Sequence, residues 1–523
     1  MSLLSFKRWF TWAASLLCII SLCPGCAAQV DNSTNPAPIV NIIQGKIKGV
    51  SVADSQVWSF RGIPYAANPF TVENRFKAPK PVAHWSGILD TTVFPDPVPQ
   101  PSRSKPMAGK PGKLTLNIWT PKGASLSVKK LPVMVWIPGG AFIREDASES
   151  AYNGKHFAKQ GIIVVTVNYR VGVDGFMHIP GAPDNRGILD QIFALNWVHQ
   201  NISRFGGNPS DVTLFGQSAG AENVAILLGT PRAKGLFQRA IMQSPPMQTI
   251  KPYQAKRLAQ AYVAKLGISL TEKDLESVSY LRLVKNVTAL GQAVKDRSKW
   301  GMLSWGGTAF LPIINTRLIP QKPMDNLARY ADSKVPVIVG STNQESRMFM
   351  VPGGKIDKVK SATLKLFLHD LKLPGNASSI YSLKNGQSVG DTYTQLQSDY
   401  TFRMTAQHIA ETLVKNGNPV WYYHFAWHSP AFNGRLGAAH FVDVPYTFDT
   451  IYTTQAKTFV GSSPSESLAK TMHNDWASFA KVGQPNWPQY SFDLRKTMRF
   501  DSVSKVVDNP QKEVRRLWSH YRF

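Results

Sequence analysis

The chain predicts a doubly wound α/β fold around one mostly parallel sheet, and three observations carry that expectation. Uninterrupted apolar runs recur at residues 131–137, 161–167, 212–215, 240–242, 335–339 and 420–426, as strands covered on both faces require. Helix-like segments separate them, notably residues 189–201, in which Ile192, Leu195 and Val198 fall on one face. Alternation of this kind means parallel pairing through crossovers. The third observation is a break in the run at residues 212–215, where Phe215-Gly-Gln-Ser-Ala-Gly220 turns a strand into a small-residue helix.

At 523 residues and 43% hydrophobic the chain buries a large core, either as one α/β domain with insertions or as two or three ordinary domains. We expect residues 1–28 to be an export signal and residues 29–523 to form the folded enzyme-like domain. Lys7 and Arg8 lead an apolar stretch over 9–22, and Cys26-Ala27-Ala28 suits a cleavage point. The apolar stretch is shorter than the roughly 20 residues a spanning helix needs. All three cysteines, Cys18, Cys23 and Cys26, fall inside the signal. The remaining chain therefore has no internal disulfide, which fits a bacterial periplasmic or secreted protein. Cys26 after Pro24-Gly25 also resembles a lipoprotein cleavage site, although Cys23 stands where leucine is usual, so a lipid anchor is the alternative.

The formal net charge is +26. Such a bias serves either solubility or association with an anionic envelope surface. No basic block with interleaved aromatics stands out, so no nucleic-acid site is expected.

In chain order, residues 39–47 and 56–60 are β-like and lead into Arg61-Gly-Ile-Pro-Tyr-Ala66. An edge hairpin is expected to continue through Arg75-Phe76 and His84-Trp85-Ser-Gly87. Residues 95–111, rich in proline, glycine and lysine, predict an exposed loop, and residues 114–119 alternate as a strand. Residues 245–326 and 358–412 predict helical insertions that roof the site.

The G-x-S-x-G turn at Ser218 has the chemistry of a nucleophile elbow. Glycines two before and two after let neighbouring backbone approach a strained serine, and the helix that follows aims its first N–H groups at the turn. Gly386-Gln-Ser388-Val-Gly390 matches the same pattern, but it follows a polar, turn-like stretch and leads into no small-residue helix, so Ser218 is preferred.

A serine hydroxyl needs an imidazole to take its proton and a carboxylate to orient that imidazole. Of eleven histidines, His440 alone sits in a small-residue loop downstream, Leu436-Gly-Ala-Ala-His440. His424 lies in an apolar run and is expected to be a core or hydrogen-bonded residue; His428, His473 and His520 lack comparable context. Glu345 leaves a core strand between the serine and the histidine, six residues past Val339. Asp332 is its rival but precedes the strand, and Asp443 is too near His440 to be preferred. Pro138-Gly-Gly-Ala-Phe142, directly after a core strand, supplies N–H groups at Gly140 and Ala141, which with Ala219 form a three-donor oxyanion hole.

Taken together these residues resemble the type-B carboxylesterase family. The likeness runs through Phe60-Arg-Gly-Ile-Pro-Tyr-Ala66, Leu116-Asn-Ile-Trp-Thr-Pro121, Trp136-Ile-Pro-Gly-Gly-Ala-Phe142, Asn168-Tyr-Arg-Val-Gly172, Asp190-Gln191, Phe215-Gly-Gln-Ser-Ala-Gly220, Gln243-Ser244, Gly437-Ala-Ala-His440 and Asp443-Val-Pro-Tyr-Thr-Phe448. The resemblance implies an α/β-hydrolase that cleaves small carboxylic esters. It implies Ser218 as nucleophile, Glu345 as triad acid and His440 as base, with Gly140, Ala141 and Ala219 as oxyanion donors. No metal or organic cofactor is implied. Departures from the family pattern are Pro138 before the glycines, Pro111-Gly-Lys113 in place of a cysteine-bearing stretch, Ser346 after the acid, and Asn223 on the helix after the elbow. Non-catalytic adhesion proteins share this scaffold but lose the serine, so a binding protein is the competing expectation.

Overall fold

The computed structural model describes residues 37–102, 105–306, 308–383 and 386–523. The expected signal at 1–28, with its three cysteines, lies outside the described residues. Among the described residues, no helix is long and apolar enough to cross a membrane.

Fourteen strands occur along the described chain: β1 (Ile39–Ile42), β2 (Gly45–Lys48), β3 (Val50–Ser51), β4 (Val57–Ala66), β5 (Ile88–Asp90), β6 (Leu114–Pro121), β7 (Leu131–Ile137), β8 (Ile163–Val167), β9 (Gly207–Gln217), β10 (Arg239–Gln243), β11 (Val337–Thr342), β12 (Val420–Phe425), β13 (Lys496–Phe500) and β14 (Lys505–Asp508). Eleven of them make one sheet in the order β3-β4-β6-β8-β7-β9-β10-β11-β12-β13-β14. From β8 through β13 every neighbouring pair is parallel. The outer pairs are antiparallel at both edges. This is the expected doubly wound sheet, with antiparallel margins.

Alternation along β7 shows why the apolar runs are unbroken. Val133, Val135 and Ile137 enter one core cluster, while Met134 and Trp136 enter another. Successive side chains of a strand point to opposite faces, so a sheet covered on both sides needs an apolar residue at every position. From β7 the chain steps outward to β8 on one side and returns as β9 on the other. The carboxyl ends of β7 and β9 therefore flank the point where strand order reverses, and such a point leaves a crevice for ligands.

The long crossover helix begins at Arg186 (Arg186–Asn201), three residues before the apolar periodicity starts. Asn185, in the left-handed conformation, precedes it, and its side chain bonds both N–H and carbonyl of Ile313. Arg170 then clamps Asp190 of this helix through two buried contacts, 2.7 and 2.8 Å. Paired, hydrogen-bonded charges of this kind fix geometry more than they add stability. The strand expected over 335–339 starts only at Val337, because Pro336 has no N–H to give the ladder.

One expectation fails. No hairpin forms through Arg75-Phe76 and His84 to Gly87; those residues are turns and coil, and only β5 pairs, parallel to β2. Pro79 and Pro81 lie between them and remove ladder donors. The Trp85 side chain instead donates to the Lys46 carbonyl at 3.0 Å.

The two insertions are helical as expected, with helices Pro252–Leu266, Tyr280–Ala293, Ser361–Leu371, Val389–Ser398 and Met404–Lys415 as their main elements.

Candidate active site

Ser218 stands between β9 and the helix Ala219–Leu228 with φ 58° and ψ −130°. An L-residue pays roughly 1–3 kcal/mol to remain in such a region, so its surroundings must enforce it. Its N–H donates to the Gln243 carbonyl at the end of β10 at 2.9 Å, and its carbonyl accepts the Glu222 N–H at 3.0 Å. The two flanking glycines have a steric reason. A β-carbon on Gly216 would stand 2.7 Å from the Gly220 backbone, and one on Gly220 only 2.0 Å from the Ile137 carbonyl oxygen. The helix thus packs directly on the end of β7.

After β7 comes the loop holding Gly140 (φ 128°), Ala141 (φ 55°) and Phe142 (φ 60°). Three left-handed residues in a row need anchors, and the carbonyls supply them. Pro138 O accepts the Tyr169 hydroxyl at 2.7 Å, Gly140 O accepts the Ile143 and Arg144 N–H groups at 3.2 Å, Ala141 O accepts the Thr308 hydroxyl at 3.0 Å, and Phe142 O accepts the Gly172 N–H at 2.7 Å. Thr308 belongs to the first insertion, so the roof helps hold this loop. Among the described residues, the N–H groups of Gly140, Ala141 and Ala219 meet no protein acceptor. Ala219 opens a helix, where the first N–H groups have no intrahelical partner.

The carboxylate and imidazole come from loops stitched together across the sheet. Gln344 N–H donates to the Ala438 carbonyl at 2.8 Å, Ala438 N–H returns a bond to Gln344 Oε1 at 3.1 Å, and His440 N–H donates to the Glu345 carbonyl at 3.1 Å. Gly437 takes φ 61°, a left-handed backbone that favours glycine. The stitching brings Glu345 Oε2 to 2.5 Å from His440 Nδ1. Glu345 is fully buried, and its other oxygen accepts the Thr342 N–H at 2.7 Å. A carboxylate at Nδ1 places the imidazole proton there and leaves Nε2 as acceptor.

Nε2 faces Gln217, whose side-chain Nε2 lies 2.9 Å away. Gln217 directly precedes Ser218; the serine hydroxyl itself makes no hydrogen bond to the imidazole among the described residues. Phe402 packs on the imidazole with ring centres 4.4 Å apart, and Phe349 lies at 5.4 Å. Phe402 projects from the π-helical stretch Asp399–Arg403, where Asp399 and Arg403 form a buried ion pair. One extra residue in a helical turn re-aims the side chains beyond it, and here it delivers the second insertion onto the imidazole.

The remaining candidates fall elsewhere. His424 is buried in β12, bonds the Tyr422 hydroxyl at 3.3 Å and is pushed down to about 3 by burial. His473 is buried against the Thr447 carbonyl, and burial lowers it to about 4. His428 and His520 are exposed. Asp332 precedes β11 and accepts the Lys334 N–H in a local turn. Asp443 is fully buried and accepts from Gln243 Nε2 at 3.0 Å and the Tyr423 hydroxyl at 3.1 Å. Burial first, and the Glu345 charge after it, push its carboxyl up to about 6 against those two bonds and the His440 charge. Burial alone pushes Glu222, one turn beyond Ser218, well above the usual carboxylate range.

Two residues at this site gave little warning in the sequence: Gln217 occupies a variable position of the G-x-S-x-G pattern, and Phe402 depends on the π turn. Asp443, weighed only as a rival acid, meets Gln243 across 200 residues.

A family model described as the carboxylesterase family matches residues 36–518. The para-nitrobenzyl esterase of Bacillus subtilis (strain 168) is 34% identical over 499 residues, covering 91% of this chain and 97% of the relative. The phenmedipham hydrolase of Pseudarthrobacter oxydans is 29% identical over 500 residues, covering 92% and 97%. Among solved structures, a Geobacillus stearothermophilus carboxylesterase superposes with a TM-score of 0.81 at 31% identity, covering 92% of this chain and 99% of the other. A thermophilic pNB esterase gives a TM-score of 0.81 at 34% identity with the same coverage.

Proposed function

This chain belongs to the carboxylesterase family and is a carboxylic-ester hydrolase of α/β-hydrolase fold; we propose that it works through Ser218, His440 and Glu345 by way of an acyl-enzyme. The observation that carries this reading is the buried 2.5 Å contact between Glu345 and His440, whose other nitrogen faces the residue beside Ser218.

In the proposed cycle Ser218 Oγ attacks the ester carbonyl carbon while its proton passes to His440 Nε2. Negative charge on the former carbonyl oxygen is taken by the N–H groups of Gly140, Ala141 and Ala219. The intermediate collapses, and the departing alkoxide collects the proton from His440. Water then gives a proton to His440 and attacks the acyl carbon, Ser218 regains its hydrogen, and the carboxylic acid leaves. Glu345 stays ionised, holding the imidazole's orientation and countering its transient positive charge.

A fluorophosphonate probe tests the assignment. Wild-type protein should be labelled and Ser218→Ala should not, with hydrolysis of p-nitrophenyl esters lost in step; a folded wild type that takes no label would favour a non-catalytic binding protein. A series of p-nitrophenyl esters with increasing acyl length then reads out the acyl preference.

We also propose export, resting on residues 1–28. N-terminal sequencing of protein recovered from cell fractions would refute it by finding the intact leader in the cytoplasm.

A further inference from the structure

The face of His440 that has to receive a proton is already occupied. Gln217 Nε2 lies 2.9 Å from His440 Nε2, and both side chains are buried. Nδ1 is committed to Glu345 at 2.5 Å, so Nε2 carries the lone pair and the Gln217 amide is the donor. In the structure the Gln217 amide oxygen lies on the side of Gly139, 3.2 Å from where a β-carbon on that glycine would stand, and the nitrogen lies toward the imidazole. An imidazole nitrogen has one in-plane lone pair. It cannot accept fully from Gln217 and from Ser218 together.

Resting on the triad reading above, we propose that Gln217 is a positioning residue that latches His440 in the resting enzyme and yields Nε2 to Ser218 when substrate binds. Two consequences follow from its chemistry. The latch competes with the nucleophile, so the resting hydroxyl is less activated than an unopposed serine–histidine pair would be. Being an amide, Gln217 also adds no charge: when Nε2 becomes protonated, a flipped amide can present its oxygen, but no carboxylate draws the proton there. The other groups facing the imidazole are Glu345 at Nδ1 and the uncharged rings of Phe402 and Phe349, and the buried Asp443 acts on it through its charge. On the Nε2 side, Gln217 is thus where a charge would act most directly.

The test uses full-length Gln217→Glu and Gln217→Met beside wild type, with folding checked by thermal melting. For Gln217→Glu, the acid limb of kcat/KM against pH on a p-nitrophenyl ester should move to higher pH by about one unit, because a carboxylate within hydrogen-bond distance favours the imidazolium. Gln217→Met keeps the bulk and removes the donor; its fluorophosphonate labelling should be about fivefold faster than wild type, the equivalent of one neutral hydrogen bond. A purely structural glutamine would instead lower the plateau at every pH in both variants. An unmoved acid limb in Gln217→Glu, or labelling of Gln217→Met no faster than wild type, overturns the latch. Ser218→Ala and His440→Ala run alongside separate the two readings: if they hydrolyse ester normally, the triad assignment itself has failed and the latch goes with it.

Discussion

Glu345 reaches His440 across the gap between two strand ends, Oε2 to Nδ1 at 2.5 Å, and neither side chain has more than a trace of solvent contact. The carboxylate fixes the imidazole's orientation and keeps a ring N–H at Nδ1, and the Thr342 N–H on its other oxygen prevents it from turning away. Glu345→Gln retains the shape and an acceptor oxygen but removes the charge, and it allows the amide to offer a donor to Nδ1 and favour the wrong tautomer. Turnover should fall about 10²- to 10⁴-fold, less than in Ser218→Ala or His440→Ala, with thermal stability nearly intact. Steady-state kinetics check this; wild-type rates in Glu345→Gln would move the acid elsewhere.

Ser388 offers the converse experiment, since it shares the G-x-S-x-G pattern. The structure shows it capping the helix Val389–Ser398: its hydroxyl accepts the Asp391 N–H at 3.1 Å, and the Asp391 carboxylate accepts the Ser388 N–H at 3.0 Å. This reciprocal box is an answer to free N–H groups at a helix start. Ser388→Ala should leave kcat and KM unchanged while lowering stability by about 1 kcal/mol, measured by urea unfolding. A loss of turnover there would show that the wrong serine had been chosen.

These contrasts show what the sequence could and could not carry. The buried strands were legible because a sheet covered on both faces demands unbroken apolar runs, and β7 and β12 lie where residues 131–137 and 420–426 announced them. The last two strands, β13 and the edge strand β14, were not anticipated, since Lys496, Arg499, Lys505 and Asp508 interrupt their apolar pattern. Glu345 and His440 stood out because a carboxylate just past a core strand and an imidazole in a small-residue loop are chemically conspicuous. Gln217 did not, because an amide has no charge or proton to lend and its importance appears only when the imidazole is in place. Phe402 was hidden for another reason: its direction is set by a π turn that hydrophobic periodicity does not encode.

Asp443 gives a pH-dependent prediction. Its carboxyl is pushed from 3.8 up to about 6, chiefly by burial, so the folded state holds this proton more tightly than the unfolded chain does. The associated stability is fully present below pH 3.8 and is lost as pH rises to about 6, a change of roughly 3 kcal/mol. Asp443→Asn cannot ionise and escapes that loss. The melting temperature of Asp443→Asn minus that of wild type should therefore climb between pH 4 and pH 6.5 and then level off. A difference that is flat across this range would mean that burial does not govern the carboxyl.

Two glycines inside helices should respond to alanine in opposite directions. Gly220 lies in the first turn after Ser218, where a β-carbon would be 2.0 Å from the Ile137 carbonyl oxygen and 2.9 Å from that of Pro138. Both are backbone atoms at the end of β7, so no side chain can swing aside, and the helix Ala219–Leu228 would have to lift off the strand. That movement would separate the Ser218 turn from the Gly140 loop. Gly220→Ala should cost about 3 kcal/mol of stability, at the upper end for an overpacked site, and should abolish turnover. Gly291 sits in the helix Tyr280–Ala293 with nothing within 4 Å of a built β-carbon and no positive φ. There alanine merely restricts the unfolded chain and favours the helix, so Gly291→Ala should stabilise by about 0.5–1 kcal/mol at unchanged turnover. Chemical unfolding of the two variants, with esterase rates measured alongside, checks the pair, and a Gly220→Ala protein as stable and active as wild type would refute the close packing of the elbow helix on β7.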